Sequence, residues 1–165
     1  MNHMGRAALV AAAAGLCLAS APARAESCWA KEEIAAAKVR ELQTMLMVGA
    51  LRCRASGIDI LPSYNRFVSV NRSTITAMND RLKVHFRSSG TAEGQRRYDR
   101  FTTALANGYG AGSTGPESCA EMADLSDEAA SASGSAALIA IADRAIPTPQ
   151  LQGASCPMTF AEAGR

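Results

Sequence analysis

The apolar positions between Ala35 and Cys53 recur as Ala35, Val39, Leu42, Leu46, Gly49 and Cys53, in steps that alternate four and three. That spacing keeps one side of an α-helix apolar along its length and predicts a long helix ending near Cys53. The same alternation returns at Tyr64, Val68, Asn71, Ile75, Met78, Leu82 and His85, with Phe67 and Phe86 widening the stripe. It predicts a second helix from about Pro62 to Arg87. Tyr98, Phe101 and Leu105 share one face of a third helix, and Leu138, Ile141 and Ile146 mark a short fifth. No segment alternates apolar and polar residues in the period of a strand. The pattern predicts an all-α fold, an up-and-down bundle of four to five helices.

Boundary signals fill in the rest. Ser27 is placed to cap the first helix, with Glu32 and Glu33 favoured by the dipole in its first turns. Gly57 suits a helix stop and Pro62 a first helical turn. Thr91 is placed to cap the third helix, and Asn107–Gly115, rich in glycine, reads as a loop with Tyr109 at its tip. A fourth, acidic helix opens at Pro116, where Ser118 and Glu121 fit a capping box. Ser131–Ser135 breaks it before the fifth helix, from about Ala136 to Ala145. Pro147 and Pro149 then start an irregular tail.

The first 25 residues read differently. Arg6 is followed by the apolar run Ala7–Leu18 and by Ala23-Arg-Ala25, the arrangement of a removable export signal. Pro22 and Arg24 cut the run short of the roughly 20 residues a spanning helix needs, and no later stretch is apolar for that length. The expected organisation is a signal over 1–25, a helical domain over 26–147 and a tail over 148–165. Residues 26–165 carry 15 basic and 15 acidic side chains, unevenly spread. Residues 26–115 hold 13 basic against 8 acidic, and 116–165 hold 2 against 7. Zero net charge and export make nucleic acid a poor partner.

Export also explains the cysteines. Cys17 leaves with the signal, and Cys28, Cys53, Cys119 and Cys156 remain, an even set in an oxidising compartment. A zinc site lacks its usual spacing, with no C-x-x-C pair and one remaining histidine. Pairing follows from helix length. An unbroken first helix holds Cys28 and Cys53 about 37 Å apart, whereas bridged Cα atoms lie within about 7 Å. In an up-and-down bundle Cys53 and the start of the fourth helix share one end. Cys53–Cys119 and Cys28–Cys156 are therefore the expected bridges, the tail climbing back to Cys28.

Candidate chemistry is sparse. His85 reads first as an edge-of-core histidine with one hydrogen bond. To act as a base or switch it would need an orienting carboxylate and a cleft, and Asp80 and Glu93 are the acids near it in sequence. Asn71 on the second seam reads as a register-setting residue. Gly108–Gly112 lacks the preceding strand of a phosphate-binding loop. Met45 and Met47 point about 200° apart around a helix and cannot hold one metal ion together. No cofactor or metal is expected. Arg81, Lys83, Arg87, Arg96, Arg97 and Arg100 cluster at the corner between the second and third helices, either a surface for an anionic partner or a solvated charged face balanced in part by the acidic fourth helix. Tyr109, at the tip of its loop, is a candidate contact residue, the alternative being that it folds back onto the core.

At Met45–Cys53, Tyr64-Asn-Arg-Phe67 and Tyr98–Ala106 the sequence resembles small exported helical proteins of bacteria that have no assigned function. The resemblance implies a disulfide-bonded helical fold and no particular chemistry. Exported immunity and inhibitor proteins share that general plan, an analogy of fold alone. The function expected is a non-enzymatic exported bundle that binds a protein or an anionic envelope component. One alternative is a carrier of a small apolar ligand, with a cavity lined by Leu42, Leu46, Ile75 and Met78. Another is an enzyme built on carboxylates or on His85 facing an acid in a cleft.

Overall fold

One helix organises all the others. In a computed structural model that describes residues 28–87, 90–112 and 115–157, α1 runs over Lys31–Cys53. It is followed by a turn of 3₁₀ helix at Arg54–Ser56, α2 (Leu61–Val70), α3 (Arg72–Arg87), α4 (Thr91–Ala111), α5 (Pro116–Ser131) and α6 (Gly134–Ala145). The only strand-like pairing among the described residues is one isolated parallel bridge between Trp29 and Ser155. The protein is an all-α bundle stapled by two disulfides. No helix among the described residues is long and apolar enough to cross a membrane.

α1 packs against each of the other five helices. Its buried face is therefore wider than the seam: Ala36, Ala37, Val39, Leu42, Leu46, Gly49, Ala50 and Cys53 are buried, and so are Glu41 and Thr44. Three apolar clusters follow one another along it. Ala36 and Ala37 meet Trp29, Leu82, Phe86, Phe101 and Leu105. Val39, Leu42 and Leu46 meet Phe67, Ile75, Leu138 and Ile141. Ala50 and Cys53 meet Ile60 and Cys119. Each fully buried Leu or Phe contributes about 1.5–3 kcal/mol of transfer free energy. At Gly49 α1 comes close to α5, and a side chain would displace that of Met122. A Cβ there would lie 2.3 Å from the Met122 sulfur of α5.

Several boundaries differ from the sequence reading. The single helix expected over 62–87 is divided at Asn71, where φ is −98° and ψ 16°. The buried Asn71 amide donates to the Phe67 carbonyl at 3.2 Å, in competition with the backbone, and to the Ala129 carbonyl of α5 at 3.0 Å. Asn71 thus ties the α2–α3 junction to α5. The loop expected at Asn107–Gly115 is helical as far as Ala111. Arg52 supplies the missing donors at that helix end, reaching the Tyr109 carbonyl at 2.9 Å and also those of Gly110 and Gly112.

Thr91 and Ser118 lie inside their helices, behind Gly90 and Gly115, and neither caps. Ser27 and the signal over 1–25 lie outside the described residues. At the start of α1 the Glu33 carboxylate accepts the Ala30 N–H at 2.8 Å. Gly57 ends the 3₁₀ turn in the left-handed region, φ 77°, and Pro62 lies in the first turn of α2. α6 begins at Gly134, two residues before the expected Ala136.

Both bridges pair as the helix geometry requires. Cys28–Cys156 has its Cα atoms 4.8 Å apart and Cys53–Cys119 5.6 Å. The tail is irregular and fixed to the bundle. Gln150 N–H donates to Glu41 Oε2 at 2.9 Å, and the Trp29 indole donates to the Gln152 carbonyl at 2.8 Å. Trp29 N–H and Cys156 N–H complete the small parallel pairing, each at 2.9 Å.

Candidate functional site

The α3–α4 corner gathers most of the positive charge. Gly90 turns the chain at φ 98°, and Gly94 then passes close to the end of α3. A Cβ on Gly94 would lie 2.7 Å from the Phe86 carbonyl oxygen and 2.8 Å from Arg87 Cα, so only glycine permits this approach. Between the two helices lies a cleft of about 410 Å³, lined by Asp80, Lys83 and Arg87 from α3 and by Thr91, Gln95 and Tyr98 from α4. The spacing of 80, 83 and 87 puts these three on one face of α3.

The six basic side chains do not form a single patch. Lys83 and Arg87 meet at the cleft, where Lys83 pairs with Asp80 at 3.2 Å and Arg87 Nε donates to the Lys83 carbonyl at 3.3 Å. Arg96 and Arg100 converge instead on Glu93, at 2.7 and 3.2 Å. Hydrogen bonds from Arg96 and then Arg100 hold the Glu93 carboxyl below its ordinary range. Arg97 is half-buried, and Arg81 is exposed outside the cleft lining. Residues 80–100 contain six basic and three acidic side chains, so the corner keeps a positive excess after its internal pairs are counted.

Tyr109 lies elsewhere. It is about 18 Å along α4 from Arg97, half-buried, with its hydroxyl donating to Glu41 Oε1 at 2.8 Å. Burial and the adjacent Glu41 carboxylate push its phenol far above the ordinary range. Its committed hydroxyl makes it a structural contact between α4 and α1.

His85 is buried, with Nδ1 3.0 Å from Glu33 Oε2. Its ring stacks on Trp29 with centroids 3.9 Å apart and meets the edge of Phe86 at 5.1 Å. It faces an acid, but Glu33 rather than Asp80 or Glu93, and it does so under the Trp29 ring rather than in a cleft. Leu42, Leu46 and Ile75 are buried in the central cluster, with Met78 packed against it. Met45 packs on the same cluster, while Met47 is exposed.

Glu33, Glu41, Trp29 and Gln150 were not legible as site residues. The available signal was indirect: Leu42–Leu51 contains no charged residue, which marks a helix buried on more than one side. No protein family, curated protein or solved structure matches the chain.

Proposed function

We propose that the protein is an exported, non-enzymatic helical scaffold that binds an anionic partner, a protein surface or an envelope component, at the α3–α4 corner. The observation that carries this reading is the cleft flanked by Lys83 and Arg87 within a corner of net positive charge. Asp80 also lines the cleft and pairs with Lys83, so the attraction comes from the excess of basic over acidic side chains across the whole corner. A field of one sign raises the association rate of oppositely charged partners. Export is supported by the two bridged cysteine pairs, which belong to an oxidising compartment, and by the signal-like residues 1–25. A non-enzymatic role is supported by the closed surroundings of His85 and by the commitment of the four cysteines to bridges.

Glu93 provides a two-sided test. Replacing it with Gln releases Arg96 and Arg100, whereas Lys83→Glu with Arg87→Glu reverses the cleft. Retention at low salt is measured on immobilised polyglutamate, and binding on vesicles containing an anionic lipid. The expected order is Glu93→Gln above wild type above the double reversal, with retention falling as salt rises. Preference for one support distinguishes a protein-like partner from a membrane-like one. Equal retention of all three proteins on both supports refutes the reading.

A further inference from the structure

The two disulfides occupy opposite environments. Cys53 and Cys119 are both fully buried, inside the cluster that also holds Ala50 and Ile60. Cys28 is exposed and Cys156 half-buried. The outer bridge borders a groove of about 630 Å³ between the start of α1, α6 and the tail, and Cys156 and Lys31 both line it. A thiolate approaching in solution therefore reaches the outer bridge without any helix moving, and reaches the inner one only if the bundle opens. Thiol–disulfide exchange depends on access to the attacked sulfur and on stabilisation of the thiolate that leaves. Lys31 is exposed and shares the groove with Cys156, as do Glu32 and the Lys38–Asp143 ion pair. Of the two bridged cysteines, Cys28 is the more exposed and so the more open to attack.

We propose that Cys28–Cys156 is a site of exchange with low-molecular-weight thiols, and that Cys28 Sγ is the atom attacked. The incoming thiolate forms a bond to Cys28 Sγ. The Cys28–Cys156 bond breaks, and its electron pair leaves on Cys156 Sγ as a thiolate. A second thiolate then displaces Cys28 from the mixed disulfide, so two thiols are oxidised to one disulfide and the bridge is reduced to two cysteines. Exchange removes the disulfide that ties the Trp29 segment to the tail. What remains are the hydrogen bonds of Trp29 to Gln152, Ala154 and Cys156 and its stack on His85. The inner bridge continues to hold α1 to α5. The site shares no residue with the α3–α4 corner and stands whether or not that surface binds.

The test treats the oxidised protein with reduced glutathione, traps thiols with iodoacetamide at intervals, and maps peptides without reduction. Because the inner bridge reacts only through opening of the fold, the outer bridge is expected to open about a hundredfold faster or more. Glutathione should be found on Cys28 in the mixed disulfide. Similar rates for the two bridges overturn the proposal, as does survival of both under conditions that reduce an exposed peptide disulfide. Glutathione mainly on Cys156 overturns the assigned point of attack. A Cys53→Ala, Cys119→Ala protein supplies the control. If its outer bridge reacts within about twofold of the wild-type rate, access is local. A rate that rises in step with lost stability shows that the bridge opens only through unfolding, which also overturns the proposal.

Discussion

Glu41 is a carboxylate in the middle of α1 with 2% of its surface exposed. A buried charge is tolerated when hydrogen bonds replace its water. Here the Tyr109 hydroxyl supplies one, at 2.8 Å, and the Gln150 N–H another, at 2.9 Å. Tyr109→Phe removes the first and leaves the charge short of a donor, an expected loss of about 1–3 kcal/mol by urea denaturation at pH 7. The pH dependence has a definite sign. The folded-state pKa of Tyr109 is raised above its ordinary value of 10.0, so the unfolded chain ionises first. The stabilisation is whole below pH 10 and declines as pH rises beyond it. Melting temperature above pH 10 should therefore fall more steeply for wild type than for Tyr109→Phe. Tyr64, raised by burial, keeps some slope in the variant. Glu41 was not visible in the sequence because it lies about 100° from the Leu42 seam, and its partners are 68 and 109 residues away.

Helices were the legible level. The seams of α1, of α3 and of α4 all face the core, since a 3.6-residue period records burial directly. Their ends were less so, because ends depend on distant partners. α4 runs past Gly108 and Gly110, both poor helix formers, because Arg52 of α1 binds the carbonyls at its terminus. α2 and α3 separate at Asn71 because a carbonyl of α5 accepts its side chain. The α3–α4 corner depends on Gly94 in the same way. In Gly94→Ala the new methyl must push against backbone atoms, 2.7 Å from the Phe86 carbonyl oxygen. Overpacking of this kind costs about 1–3 kcal/mol. The variant should melt at a lower temperature and bind polyglutamate more weakly than wild type, because Lys83 and Arg87 lose their register with α4. The basic cluster was readable as a run of charge, but its division between the cleft and Glu93 was not. That division depends on which helix face each residue occupies and on which acid lies within reach.

At the scale of the molecule, the pairing of four cysteines followed from one helix length together with the up-and-down order of the helices, and both bridges are formed as expected. The inner bridge closes a separation of 66 residues. On the chain-entropy account its loss removes up to about 4 kcal/mol. Cys53→Ala with Cys119→Ala should lower the urea midpoint accordingly while far-ultraviolet circular dichroism stays helical, since the three apolar clusters remain. A cavity among Leu42, Leu46, Ile75 and Met78 is a property that the sequence pattern does not encode. Periodicity identifies which side chains face inward and says nothing about whether they leave space between them. The central position of α1 also sets an order in time. α1 is the first of these helices to be synthesised, yet it acquires its last neighbour only when α6 exists. Until then its apolar flanks have no permanent cover, and no shorter length of chain can complete the core. Burial of α1 is therefore complete only once residues 134–145 have joined the bundle.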